Sequence, residues 1–205
     1  MSGRLAVFCS GQGTILRSVG EAVRSGRLPV ELALVVADRP CPGAEWARAK
    51  GLPLLLVDRA QLSWREREAL IATALSQRDI SHLLLAGYLS RLGPELAGRY
   101  QGRALNVHPS LLPAFPGLDA IGQALSYGVR ITGVTVHLVD EQIDGGPIVW
   151  QEAVAVLPDD DWASLRQRLA PVEQRGVLVA LQGMVAGRLE VSGRRVRIGN
   201  EKGAP

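Results

Sequence analysis

The sequence predicts a doubly wound α/β fold whose sheet is mostly parallel, with an antiparallel C-terminal part. Three observations predict it. Short, almost continuous apolar runs recur in the first half, as strands buried on both faces require. Amphipathic segments with helical spacing separate those runs. The C-terminal half instead carries alternating runs joined by short Gly-containing loops, the pattern of antiparallel hairpins.

Leu5 to Cys9 is the first apolar run. It ends in Ser10-Gly11-Gln12-Gly13-Thr14, after which Ile15, Leu16, Val19 and Val23 recur at helical spacing. Val30 to Val36 reads as the next strand, Ala44 to Lys50 as a helix and Pro53 to Val57 as a third strand. Gln61 to Ser76 follows as a helix with Leu70, Ile71, Ala74 and Leu75 on one side, and His82 to Ala86 as the fourth strand. After the run Ala104 to Val107, Pro109, Pro113, Pro116 and Gly117 make a stiff, non-helical connection. Gly133 to Val139 and Ile148 to Val156 pair as a hairpin across the Asp144 to Pro147 loop. Trp162 to Val185 is one long helix that Pro171 can kink, and Arg188 to Ile198 alternates like a terminal hairpin around Ser192 and Gly193. Residues 1–198 therefore read as a single domain and 199–205 as a loose tail.

Composition narrows the class. A chain of 205 residues suits one domain, and 47% hydrophobic with 21% charged residues excludes a disordered, collagenous or coiled-coil protein. No run approaches the ~20 apolar residues of a membrane span, and Gly-rich polar sequence interrupts the N-terminal run before it reaches signal-peptide length. The expectation is a cytoplasmic protein with no membrane partner. A formal charge of +3 is too small to imply nucleic-acid binding, and Arg194, Arg195 and Arg197 read as a solvated face. Cys9 and Cys41 sit in different local contexts without a C-x-x-C pair, so they read as buried packing residues. Nothing in the sequence sets the oligomeric state, and a homodimer stays open.

Two segments can carry chemistry. The Ser10 to Thr14 loop lies between a strand and a helix, where unpaired N–H groups and the helix dipole favour an anion. It lacks the Gly-Lys-Ser/Thr of a P-loop and the third glycine of a dinucleotide fingerprint, so a merely tight strand–helix turn is the other reading. The second segment is Asn106-Val107-His108-Pro109-Ser110-Leu111-Leu112-Pro113. Period-2 alternation places Asn106 and His108 on one side of the strand, where an amide N–H can meet a developing oxyanion and an imidazole can move a proton. A capping Asn and a structural His are the alternative. Asp144, before a Gly pair, is the natural third member, and beside His108 it would favour the protonated imidazole; an exposed turn Asp is its ordinary role. His137 reads as a buried supporting histidine and His82 as a strand-end one. No spacing suggests a metal.

Taken together, Gly11-x-Gly13-Thr14, Ala86-Gly87-Tyr88, the Asn106 to Pro113 run, Pro116-Gly117 and Asp140-Glu141-x-x-Asp144-Gly145-Gly146-Pro147 resemble the phosphoribosylglycinamide formyltransferase family of purine biosynthesis. The likeness runs over nearly the whole chain and implies a formyltransferase-type, Rossmann-like fold. It further implies transfer of a formyl group from 10-formyltetrahydrofolate, as co-substrate, to the amine of glycinamide ribonucleotide without a metal. By this resemblance Asn106, His108 and Asp144 are catalytic. Gly11, Gln12, Gly13, Thr14, Gly87, Pro109 and Glu173 bind the ribonucleotide. Leu89, Ser90, Arg91, Leu92, Val139, Asp140 and Glu141 border the folate, and Leu112-Pro113 is expected to be cis. Ile15, Ser90, Gln174 and the pair Ala37-Asp38 depart from the family pattern, with Arg91 as the substitute for the arginine missing at 90. A formyltetrahydrofolate hydrolase and a ligand-binding relative without turnover are the alternatives; intact Asn106, His108 and Asp144 argue against the second.

Overall fold

The computed structural model describes residues 3–199. The chain divides after Ala104 into two compact units. In the first unit, β1 (Gly3–Cys9), β2 (Val30–Ala37), β3 (Leu54–Leu56) and β4 (His82–Leu85) pair in parallel in the order β3-β2-β1-β4. Leu5 to Cys9 and Leu34 to Ala37 are almost wholly buried, which explains their unbroken apolar sequence. Helices α1 (Thr14–Arg24), α2 (Pro42–Ala49), α3 (Trp64–Gln77) and α4 (Pro94–Arg99) connect or follow these strands. Ile15, Leu16, Val19 and Ala22 form the buried face of α1, with Ala22 rather than Val23 as its last member. Helix α2 starts earlier than its apolar spacing suggests, because Pro42 suits the first turn. Helix α3 starts later, at a capping box in which Ser63 and Glu66 satisfy each other's backbone N–H.

The second unit is mainly antiparallel. Strand β5 (Ala104–His108) pairs with β6 (Ile131–Leu138), which pairs with β7 (Ile148–Ala155); β7 meets β9 (Arg195–Ile198) in parallel, and β9 closes a hairpin with β8 (Leu189–Ser192). Helix α5 (Ala120–Tyr127) precedes β6, and α6 (Trp162–Val185) runs through Pro171 without ending. The doubly wound, mostly parallel order with an antiparallel C-terminal part is therefore observed as predicted. The expected tail at 199–205 falls, beyond Gly199, outside the described residues.

Two helices escape the sequence reading. Helix α4 has six residues, too few for a periodic signal. Helix α5 did carry a signal: Asp119 caps it through Gly122 N, and Gly128 ends it in a left-handed conformation. The crowded prolines just before it masked those caps. The two thiols are free and buried, as expected, and they lie together. Burial first, and then the charge and hydrogen bond of Cys41, push the Cys9 thiol up to about 12, which keeps it an inert packing group. No helix among the described residues is long and apolar enough to cross a membrane.

Candidate active site

In the first unit, the chain runs from β1 to β2 and β3 on one side and then returns to β4 on the other, so the strand order reverses beside β1. The carboxyl ends of strands at such a reversal are where open α/β sheets bind ligands. Here Ser10 joins the two loops: its N–H donates to Gly87 O at 3.2 Å, and its hydroxyl accepts from Leu89 N at 2.8 Å. Gly13 sits at the start of α1 with φ 70°, and no side chain caps that helix start. Its first-turn N–H groups are left for solvent or an anion. A Cβ on Gly13 would stand 2.6 Å from Gly43 Cα, whereas a Cβ on Gly11 would meet nothing within 4 Å. Gly13 is thus required by packing, while exposed Gly11 leaves open space over the loop.

The departures at 38 and 90 are partners in one cluster. Ser90 donates its hydroxyl to Asp38 Oδ2 at 2.7 Å and accepts from Arg67 Nη1 at 2.8 Å. Arg67, four residues after the Ser63 cap of α3, reaches Ser90; Arg91 is exposed and makes no such bond. No spacing in the sequence marks Arg67 for this position. Ile15 is buried in the packed face of α1. Leu89 is exposed and Leu92 half-buried.

In the second unit, strand register assembles the catalytic candidates. Asn106 and His108 stand on one side of β5, and the antiparallel pairing sets Asn106 opposite His137 and His108 opposite Thr135. Asp144 returns from the β6–β7 loop to meet them. Its Oδ1 accepts from Asn106 Nδ2 at 3.2 Å, and its Oδ2 accepts from Gly117 N at 2.7 Å and lies 3.5 Å from His108 Nδ1. All three expected catalytic residues are therefore in contact.

Proton positions follow from what each partner can do. His108 Nε2 lies 2.7 Å from Phe115 O, a carbonyl that only accepts, so Nε2 carries a proton. Its other nitrogen faces a carboxylate, so the imidazolium satisfies both neighbours. His137 Nδ1 lies 2.9 Å from Leu138 O, a carbonyl that only accepts, so Nδ1 donates there; its Nε2 lies 3.1 Å from Asn106 Nδ2 and 3.6 Å from Asp144 Oδ1. The Asn106 amide nitrogen is held between His137 and Asp144, so a substrate oxygen must take over one of these two donors. Burial opposes ionisation of Asp144, but His137, Gly117 N–H and the charge of His108 outweigh it and lower its pKa below the ordinary carboxylate value.

The segment after His108 is fixed by buried polar groups. Thr135 Oγ1 donates to Ser110 O and accepts from Leu112 N and Gln151 Nε2, and Leu112-Pro113 is cis as expected. His137, Phe115, Gly117 and Gln151 are the supporting groups; His137 is marked in the sequence by its place in an apolar alternation and Gly117 by the Pro116-Gly117 pair, whereas Phe115 and Gln151 carry no such mark. Glu173 is buried on α6 and bonded to Arg166 Nη1 at 2.7 Å; burial raises its pKa, against the pull of Arg166. Pro109, Val139 and Asp140 are half-buried, and Glu141, Gln12 and Thr14 exposed. Among the described residues no cluster of three or more His, Cys, Asp or Glu is arranged to hold a metal ion.

The chain is similar to known proteins over most of its length. Residues 3–181 match the formyl transferase family. A phosphoribosylglycinamide formyltransferase of Mycobacterium tuberculosis is 39% identical over 203 residues, covering 96% of this chain and 94% of that one. The glycinamide ribonucleotide transformylase 1 of Symbiobacterium toebii superposes with a TM-score of 0.92 at 40% identity, over 97% of this chain and 95% of its own. A trifunctional purine biosynthetic protein of Gallus gallus is 34% identical over 190 residues, 92% of this chain and 19% of its own length. With the family match over residues 3–181 and relatives 34–40% identical over nearly the whole chain, this chain belongs to the formyl transferase family.

Proposed function

We propose that the protein transfers the formyl group of 10-formyltetrahydrofolate to the amine of glycinamide ribonucleotide, a step of de novo purine (IMP) biosynthesis. The observation that carries this reading is the convergence of Asn106 and His108 on one carboxylate, Asp144, whose lowered pKa keeps it charged. The amine nitrogen attacks the formyl carbon, forming the new C–N bond, and the tetrahedral intermediate collapses by breaking the bond to the folate nitrogen. Protonated His108 and one N–H of Asn106 stabilise the negative oxygen. Asp144 holds the imidazolium and, through water, helps carry the proton from the attacking nitrogen to the leaving one.

Binding follows the same reading. Gly11, Gln12, Gly13 and Thr14 take the phosphate on backbone N–H groups, with Gly87, Pro109 and Glu173 on the rest of the ribonucleotide. Leu89 to Leu92 and Val139, Asp140 and Glu141 border the folate, which is consumed as a substrate. The reading needs no metal and no nucleic acid, places the reaction in the cytoplasm, and treats residues 1–198 as one working domain.

One assay tests it: folate deformylation is followed with and without glycinamide ribonucleotide. Turnover that depends on the ribonucleotide supports the transferase. Turnover without it would mark a hydrolase, and none in either case a binding protein.

A further inference from the structure

We propose that Arg194 is a positioning residue for Asp144: the C-terminal β8–β9 hairpin braces the loop that carries the catalytic carboxylate. This inference rests on the assignment of Asp144 above. The hairpin lies beyond residues 3–181, the part of the chain that matches the family.

The loop needs an external hold. Asp144 has φ 49°, in the left-handed region, which Asp tolerates better than most L residues but still at a cost relative to the ordinary conformations. The two following glycines are packed too closely for a side chain. A Cβ on Gly145 would stand 2.5 Å from Gln142 Cβ, and one on Gly146 would collide with Leu138 O. Within the loop, Gly145 N reaches Gln142 O at a long 3.4 Å, Gln142 N donates to Asp140 Oδ1 at 2.9 Å, and Leu138 N closes the loop on Pro147 O at 2.9 Å, so the peptide after Asp144 has the longest of these ties. Among the described residues, the side-chain hydrogen bond that the loop backbone receives from outside comes from Arg194 Nη1, which donates to Gly145 O at 2.8 Å.

The brace has a firm base. Arg195, the next residue, pairs with Ile148 of β7, and Leu189 and Ile198 of the hairpin lie against Gly183 of α6, each within 3.0 Å of where its Cβ would be. Arg194 therefore extends from two anchored elements and grips the peptide immediately after the catalytic carboxylate. Rigid support of this kind is what holds a reacting group within a fraction of an ångström, and small misplacements are costly in rate.

The test is steady-state kinetics of the full chain with both substrates. Arg194→Ala is expected to lower kcat about three- to tenfold, the effect of losing one charge-assisted hydrogen bond near the surface, with KM for both substrates within about twofold of wild type. Arg194→Lys, which keeps a donor of similar reach, is expected to restore most of the loss. Arg197→Ala, the same charge change on the same hairpin opposite Glu190, is expected to leave kcat unchanged. Unchanged kcat in Arg194→Ala overturns the brace, as does an equal loss in Arg197→Ala or a failure of Arg194→Lys to recover. Should Arg194→Ala not fold, the same comparison is read on Arg194→Gln. A wild-type protein without formyl transfer overturns the functional reading instead, so the two failures are distinguishable.

Discussion

In the loop Ser10 to Thr14 the groups left for a ligand are backbone N–H, presented by a left-handed Gly13 and an uncapped helix start. Around Asp144 the groups proposed to react are side chains from separate stretches, with Asn106 and Asp144 38 residues apart. The first site needs only that certain Cβ atoms be absent. The second needs particular functional groups held in register. Substitutions should therefore fail in different ways: steric changes matter in the loop, and chemical changes matter in the cluster.

The largest expected effect sharpens that contrast. His108→Ala should lower kcat about 10²- to 10⁴-fold, the usual contribution of a positioned proton-transfer group. Asn106→Ala should cost about 10²-fold, as loss of an oxyanion donor does. Neither should alter KM for the ribonucleotide much, and thermal unfolding should show both variants folded. An Asn106→Ala enzyme with full turnover would remove that residue from the mechanism.

The loop should break sterically. Gly13→Ala places a side chain at φ 70° and against Gly43, so the left-handed strain alone costs about 1–2 kcal/mol. Its Tm should fall by several degrees, and ribonucleotide binding should weaken with it. Gly11→Ala meets no protein atom, so its Tm should stay at the wild-type value while KM for the ribonucleotide rises. If Gly11→Ala changes neither quantity, the loop is a tight turn and not a phosphate cradle.

The smallest effect concerns charge. Because the folded pKa of Asp144 is lowered, its pairing contributes stability that is present above the unfolded carboxylate value and is lost as pH falls through the folded value. An NMR titration of the Asp144 carboxyl should show a midpoint below 3.8, and His108→Ala should move it upward. A wild-type midpoint above 3.8 would mean that burial dominates and that the histidines do not hold the charge.

The two regions also differ in how they could be read. The Gly11-x-Gly13-Thr14 loop and its strand and helix are contiguous, so apolar run, glycines and helical spacing announced them in order. The same-side placement of Asn106 and His108 followed from the two-residue period of a strand. The partnership of Ser90 with Asp38 and Arg67 had no local signal, because the three come from different elements. His137 looked like a supporting residue from its alternation, but its place opposite Asn106 depends on the β5–β6 register. Helix α5 was legible through Asp119 and Gly128 and was hidden only by the prolines beside it.

By itself the sequence determined the strands and the longer helices, the parallel first half, the hairpins of the second, and the residue types able to do the chemistry. These follow from side-chain periodicity and backbone preferences, which act over a few neighbouring residues. Only the tertiary structure decided that Asp144 meets both Asn106 and His108, that His137 orients the amide, and that Arg194 reaches the Asp144 loop. Contacts of that kind depend on strand register and loop closure, and no local pattern of residues encodes the distance between two side chains far apart in the chain.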